Sequence, residues 1–286
     1  MGYLLKKYFE ACKAEVEQYG FMRKKKVFVR AVNDVVQIIA VENMKSYREL
    51  RVTFSVIPLC LRIEEDYVYW GAYSRELRKF ELPDESLFVP GWEPNPPLDA
   101  WGYNPFSIVS MNECVEQAVH HIKKYLLPFF ECANSCETTL PEIIKFEKLV
   151  ADNSRKIRQL LGYEDLSSYD TELDLLDCVK YYIALKIGDY DFALRCRKAL
   201  LAQNVDSYTA FLADKSKFMS LVEGGQLTGK DRILWNESLR RREEGIAQLK
   251  CEISKLEQRD EPYIQNLLSE NESYSMDTLK KLKIIS

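Results

Sequence analysis

Histidine is nearly absent from the 286-residue sequence, which has only two, the adjacent His120 and His121. Metal centres and Ser-His-Asp hydrolases use side chains that come from separate parts of the chain and converge in space. The cysteines form no CxxC pair either. Enzymes of these classes are therefore not expected, and we predict neither a metal nor another cofactor.

Long apolar runs are also missing. The longest apolar stretches, at 35–41 and 125–130, are far shorter than the roughly 20 residues that span a bilayer. Glu10 and Glu15 interrupt the first segment, which lacks the apolar core of a signal peptide. We expect a soluble cytoplasmic protein without a membrane partner.

An excess of positive charge is the third absence. Lys and Arg number 40 against 44 Asp and Glu, which gives a net charge of −4. Proteins that bind nucleic acid through its phosphates usually carry a basic domain, so this balance disfavours nucleic acid as a partner. The basic run 23–26, with Arg30, offers a local site for an anion or an RNA backbone. A solvated run that protects a sheet edge is the commoner arrangement, and we favour it.

The eight cysteines suggest reduced thiols rather than disulfides, because the chain is long and has no secretion signal. Cys114, Cys132 and Cys136 lie near the two histidines in the sequence, which raises the alternative of a zinc site. Ligands on one helix and its trailing loop would have to converge tetrahedrally, so we interpret these thiols as packing residues.

Hydrophobic periodicity predicts an α+β domain with an antiparallel sheet at residues 1–135. A helix is predicted at 3–19, capped by Gly20. Apolar runs at 27–32 and 35–41 flank Asn33-Asp34, the pattern of a β-hairpin. A third strand at 50–57 alternates apolar and polar residues, which predicts one solvated face. Residues 67–70 indicate a further strand, and a helix with an apolar face runs from Val115 to Phe130.

Residues 133–141 have the composition of a linker, and no strand pattern follows them. We therefore predict an all-α domain at 140–286. One helical hairpin around 186–191 resembles a single tetratricopeptide unit, without a second copy. The predicted helices are 141–162, 171–187, 190–203, 206–223, 230–261 and 275–285.

The helix at 230–261 is predicted to be long and coiled-coil-like, ending at Pro262. Its apolar residues recur at heptad a and d positions, with one interruption at Arg242. An antiparallel partner within the chain is already tethered, so we expect mainly an intramolecular seam, with a homodimer through this helix as the alternative. The heptad residues are Leu239, Ile246, Leu249, Ile253 and Leu256.

Residues 224–230 match the GxxxxGK pattern of a phosphate-binding loop. The next residue of that motif is a Ser or Thr that binds magnesium, whereas this chain has Asp231. The surrounding segment also lacks the required strand. We therefore interpret the motif as a turn between helices, with Asp231 near the start of the second.

The N-terminal half resembles a bacterial family, the domain-of-unknown-function family numbered four-three-zero-four. The resemblance covers residues 1 to about 132 and rests on Gly20-Phe21 with the basic run, on residues 28–38, on the strand at 52–56 and on the ending Leu126-Leu127-Pro128. Members of the family have a Gly or Asn within the basic run, where this chain continues with Lys25-Lys26. The resemblance implies a small α+β fold and brings no catalytic residues.

Large aromatic residues in a proline-rich segment are the best candidates for a binding surface, because Trp and Tyr are enriched among binding anchors. A loop that only caps the core is the alternative. The predicted ligand or partner surface consists of Arg30, Gln37, Trp70, Trp92, Trp101 and Tyr103.

These features together predict a non-enzymatic interaction or regulatory module with a protein partner, with bacterial defence or toxin immunity as the expected setting. The alternative is an enzyme with a small-molecule or nucleotide site between the two domains.

Overall fold

A computed structural model describes residues 2–44, 49–70, 75–76, 108–160, 176–224, 226 and 228–286. Within these ranges, the helices are α1 (Gly2–Glu17), α2 (Glu65–Trp70), α3 (Ile108–His121), a π-helix (Ile122–Leu126), α4 (Leu127–Cys132), α5 (Cys136–Leu160), α6 (Cys178–Ile187), α7 (Tyr190–Ala213), α8 (Lys215–Glu223), α9 (Gly229–Glu257) and α10 (Glu261–Lys281). The strands are β1 (Met22–Lys24), β2 (Val27–Val32), β3 (Val35–Met44), β4 (Glu49–Pro58) and β5 (Arg75–Glu76).

The chain forms two compact units, one comprising Met1–Leu173 with Leu267–Ser286 and the other Asp174–Asn266. The predicted boundary at 135–140 lies inside the first unit. The reason is that the ring of Phe146 in α5 packs 5.1 Å from that of Phe54 in the sheet.

The sheet is antiparallel throughout, in the order β1-β2-β3-β4-β5, which confirms the predicted α+β class. The predicted hairpin is also confirmed. Val32 pairs with Val35 around a turn in which Asn33 has φ 48°, a left-handed conformation that Asn tolerates. The basic run forms β1 and the turn into β2, so it lies at the sheet edge as expected.

The helices of the first unit cover the sheet face that carries Phe28 and Phe54. The ring of Phe9 in α1 lies 5.3 Å from Phe28, and Phe129 of α4 lies 5.5 Å from Phe54. Gly20 takes the left-handed conformation at the end of α1, with φ 82°, as predicted. Aromatic contacts thus join α1 and α4 to the centre of the sheet.

The prediction of a solvated face on β4 is wrong, because Thr53 is 8% and Ser55 0% exposed. The helix α2 packs against β2 and β3. It occupies residues 65–70, where the sequence suggested a strand, and it begins with two acidic residues at the positive end of its dipole.

The C-terminal part of α10 joins the first unit through the segment that follows β4. Asn271 Nδ2 donates to the carbonyl oxygen of Cys60, at 2.9 Å. The Ser275 hydroxyl accepts from the Ile63 amide and donates to the Leu61 carbonyl, both at 3.0 Å. These bonds bridge more than 200 positions of sequence, which no local pattern indicates.

The second unit is helical, and α9 packs antiparallel to α7. Arg197 and Ser207 of α7 pair with Glu252 and Arg242 of α9, respectively. Of the predicted seam, Leu249, Ile253 and Leu256 are buried. Leu239 and Ile246 are half-buried. Three of the five seam residues are thus buried, while the coiled coil and the homodimer stay predictions.

Several helix boundaries differ from those predicted. α5 begins at Cys136, within the predicted linker 133–141, and α6 begins at Cys178, later than the predicted residue 171. α7 continues to Ala213 without the predicted break near residue 204, and α10 fills the predicted gap before residue 275. α9 ends at Glu257, before Pro262, which lies in the first turn of α10, a position where its missing N–H costs nothing. Among the described residues, no helix has an apolar stretch long enough to cross a membrane.

Candidate functional site

Two residues of the predicted binding surface, Arg30 and Gln37, lie side by side on neighbouring strands. They are direct partners in the register of β2 and β3, and Arg30 Nε donates a 2.7 Å hydrogen bond to Gln37 Oε1. The remaining predicted residues lie outside the described part of the chain: the side chain of Trp70, at the end of α2, and all of Trp92, Trp101 and Tyr103.

The amide group of Gln37 is turned towards the end of α4. Its Nε2 donates to the carbonyl oxygens of Phe130, at 2.7 Å, and Ala133, at 2.8 Å, and the residue is completely buried. The last carbonyl groups of a helix have no partner within the helix. Gln37 supplies that partner and so attaches α4 to the sheet.

The guanidinium of Arg30 is held within the same unit. Its Nη1 donates to the Tyr19 carbonyl at 2.6 Å and to the Glu131 carboxylate at 2.8 Å. It also lies 4.8 Å from the centre of the Phe21 ring, and its side chain is 13% exposed. These contacts give Arg30 and Gln37 a structural role, and their part in ligand binding stays a prediction.

A cleft of about 490 Å³ lies between α1 and the helix formed by α3 and the π-helix. π-Helices are rare in proteins, and those that occur are often found at functional sites. The cleft is lined by His120, Glu116 and the two π-helix residues Lys123 and Lys124, among others. However, the Lys123 ammonium is 3.0 Å from the Glu15 carboxylate. This ion pair joins α1 to the π-helix, and its two charges neutralise each other.

The second unit contains a nearly buried ion pair between α7 and α9. The Arg197 and Glu252 side chains are 11% and 13% exposed, with 2.9 Å between Nε and Oε2. The guanidinium lies 3.5 Å from the centre of the Tyr181 ring, and burial raises the pKa of Tyr181 to about 12. A buried ion pair of this kind contributes more to the alignment of the two helices than to the free energy of unfolding.

The opposite end of this helix pair, together with α8, is here termed the aromatic end and comprises residues 205–224 and 228–237. The Trp235 ring is stacked between Phe211 and Phe218, with centroid distances of 3.9 Å and 4.3 Å. Next to this stack, Ile233 and Leu234 are 60% and 55% exposed. This site was missed in the sequence analysis, because the start of α9 was assigned to one end of the seam. Ile233 and Leu234 are adjacent in a helix, and the single partner helix of the seam cannot cover both. This pair was the signal in the sequence that could have indicated the site.

The GxxxxGK segment belongs to a helix start, as interpreted from the sequence. Thr228 is the N-cap of α9 and forms a capping box with Asp231. The Thr228 hydroxyl donates to the Asp231 carboxylate at 2.7 Å, and hydrogen bonding from Thr228 lowers the pKa of Asp231. The carboxylate thus serves the helix end, where a phosphate-binding loop would need a hydroxyl.

All eight cysteines are free thiols in this structure. Cys132 and Cys251 are exposed, whereas Cys12 and Cys136 are buried. Burial raises the pKa of Cys12 to about 12, and hydrogen bonding with Cys60 together with burial raises that of Cys136. No cluster of three or more His, Cys, Asp or Glu suited to a metal occurs in the part of the chain that the structure describes.

Comparison with models of known protein families, with curated proteins and with solved structures gives no match for this chain. The similarity of residues 1–132 to the bacterial family therefore stays a prediction, and the site rests on the geometry of the chain alone.

Proposed function

We propose that this protein is a non-enzymatic interaction module whose binding element is the aromatic end of the helical unit. The exposure of Ile233 and Leu234 beside the Trp235 stack carries the proposal. Apolar side chains of this size gain roughly 1.5–3 kcal/mol when they become fully buried. A partner that covers them therefore gains affinity from a surface that is already in place.

Charges of both signs surround this apolar pair. Within the aromatic end the basic residues are Lys215, Lys217, Lys230 and Arg232, and the acidic residues are Asp206, Asp214, Glu223, Asp231 and Glu237. This balance favours neither sign of charge in a partner. We therefore propose that the partner is a protein that presents an amphipathic helix whose apolar stripe packs against Ile233 and Leu234.

The cytoplasm and a bacterial defence or toxin-immunity system are the setting that we propose. Support for the bacterial setting comes from the resemblance of residues 1–132 to a bacterial family. The charge balance of −4 supports a protein partner over nucleic acid.

Site-specific photo-crosslinking in the native host tests the proposal. p-Benzoylphenylalanine replaces Leu234, which is 55% exposed, or as a control Leu149 of the first unit, which is 38% exposed. We expect a discrete crosslinked protein with an amphipathic helix from position 234 only. Ile233→Asp should abolish this crosslink.

Two outcomes contradict the proposal. Equal crosslinking from positions 234 and 149 would show that the aromatic end has no specific partner. A crosslink from position 234 to a second copy of this chain would replace the proposed partner with a homodimer.

A further inference from the structure

A second surface of the helical unit, independent of the apolar pair, has the character of an anion site. It is a cleft of about 360 Å³ between α7 and α9. Its lining contains two guanidinium groups and no apolar side chain. The lining residues are Asn204, Ser238, Arg241, Arg242 and Gly245.

The two arginines differ in how firmly they are held. Arg242 Nη1 donates to the Ser207 hydroxyl at 2.8 Å, and its guanidinium lies 4.7 Å from the centre of the Phe211 ring. The guanidinium of Arg241 is 3.9 Å from the carboxylate of Glu237, and these side chains are 76% and 48% exposed. An exposed ion pair of this length is weak, so Arg241 remains available beside a fixed Arg242.

Two further carboxylates close in sequence are engaged elsewhere. Glu243 accepts a 2.7 Å hydrogen bond from the Tyr208 hydroxyl. Glu244 lies 3.7 Å from the guanidinium of Arg240. The weak pair with Glu237 is therefore the carboxylate contact that opposes the Arg241–Arg242 charge among the contacts described here.

Gly245 is the most informative residue of the lining. A glycine inside a helix costs roughly 1 kcal/mol relative to alanine. A Cβ atom built at position 245 would meet nothing within 4 Å, and the backbone there does not have a positive φ. Neither packing nor backbone conformation within the chain calls for glycine, whereas a ligand that approaches the helix backbone closely does.

We propose that this cleft binds a phosphate group, either as free inorganic phosphate or as a phosphomonoester. Arginine binds phosphate oxygens through paired N–H groups, and a fixed guanidinium loses little entropy on binding. Arg242 and Arg241 clamp the phosphate oxygens, Asn204 and Ser238 donate at the rim, and the bare backbone at Gly245 gives the oxygens room. The proposal does not depend on the protein partner.

Titration of the full-length protein with inorganic phosphate and, separately, phenyl phosphate tests the site. Ionic strength is kept constant with chloride, and backbone amide shifts are followed by NMR. We expect saturable shifts centred on residues 238–245. Saturation by both anions, or by only one of them, supports the site and identifies which source of phosphate it accepts.

Arg241→Gln and Arg240→Gln form a matched pair, because they remove the same charge from adjacent exposed positions and only Arg241 lines the cleft. We expect affinity to fall at least tenfold in Arg241→Gln and to change less than twofold in Arg240→Gln. Equal losses in the two variants, or shifts that do not saturate for either anion, would overturn the proposal.

Gly245→Ala separates binding from stability. The variant should unfold at a higher temperature than the wild type and yet bind phosphate at least threefold more weakly. A more stable variant with unchanged affinity would remove Gly245 from the site.

Discussion

The sheet of the first unit and the aromatic end of the second bury their apolar side chains to opposite extents. Phe28, Ile39 and Phe54 at the sheet centre are 0–1% exposed. By contrast, α8 has no buried residue, and Ile233 and Leu234 at the aromatic end are more than half exposed. Helices from distant parts of the sequence cover the sheet, whereas α7 of the helix pair packs against α6 and α8, its neighbours in sequence.

This contrast shows where the free energy of folding resides. Burial of apolar area contributes roughly 25 cal/mol per Å², so the sheet and the buried end of the α7–α9 pair account for most of it. The exposed pair Ile233 and Leu234 contributes little to the stability of the isolated chain. Substitutions of these two residues are therefore expected to alter binding without unfolding the protein.

Two double variants of α9 give the largest expected contrast. Leu249→Ala with Ile253→Ala removes side chains that are 7% exposed and should cost about 2–5 kcal/mol per site. Ile233→Ala with Leu234→Ala removes the exposed pair and should change the free energy of unfolding by about 0.5 kcal/mol or less. Urea denaturation measures both, and similar losses would mean that the aromatic end is part of the folded core.

The reactivity of the thiols gives a second comparison between buried and exposed side chains, and the expected effect is of similar size. A rise in the pKa of Cys12 from its ordinary 9.0 to about 12 lowers its thiolate fraction near pH 8 roughly a thousandfold, and the thiolate is the reactive species. We expect two fast thiols in the native protein, Cys132 and Cys251. Cys251→Ser should remove one fast equivalent and Cys12→Ser none. Fast labelling of Cys12, located by peptide mass mapping, would show that the sheet unit opens readily.

A smaller effect is expected from the attachment of α4 to the sheet. Gln37→Leu leaves the carbonyls of Phe130 and Ala133 and the Arg30 guanidinium without the partner described above, and should cost about 2–3 kcal/mol. The control, Gln18→Leu, alters an exposed residue and should stay within about 0.5 kcal/mol. If both variants unfold at the wild-type temperature, the hydrogen bonds of Gln37 do not anchor the helix.

The smallest effect concerns the turn between β1 and β2. Lys25 has φ 51°, a conformation that favours glycine. Lys25→Gly should stabilise the protein by about 0.5 kcal/mol, while Lys26→Gly, at a position without positive φ, should destabilise it. Thermal unfolding distinguishes the two, and a stabilising Lys26→Gly would contradict the assignment of the turn.

The sequence predicts those elements that depend on interactions between residues close in sequence, and it does not predict those that depend on long-range contacts. The hairpin depends on Asn33-Asp34 and on alternation in two adjacent runs, so local patterns were sufficient to predict its register. The buried second face of β4 depends on long-range packing, which includes residues of α10 bonded to the segment after β4, and no local pattern reveals it. The strand predicted at 67–70 is helical for a similar reason, since aromatic residues indicated a strand and the tertiary packing of α2 prevailed.

The candidate sites show the same limit. The register of the hairpin already places Arg30 opposite Gln37, but the helix end that engages them is about 100 positions away. The cleft residues of α9 lie three or four positions apart, at 238, 241, 242 and 245. The sequence alone therefore predicts that they share one face of the helix. What the sequence does not show is that α7 leaves this face open.

The π-helix at Ile122–Leu126 determines where the α3–α4 segment tolerates a change of length. A residue of an α-helix advances the chain by about 100° around the axis, and a π-turn accommodates one residue more than an α-turn. Deleting one residue from this turn would convert it to an α-turn and keep Phe129 and Phe130 on the side that faces Phe54. Deleting one residue from the α-helical part of α3 would instead rotate them by about 100° around the axis, away from Phe54. A one-residue deletion should therefore be tolerated far better within the π-turn than in the α-helical turns before it.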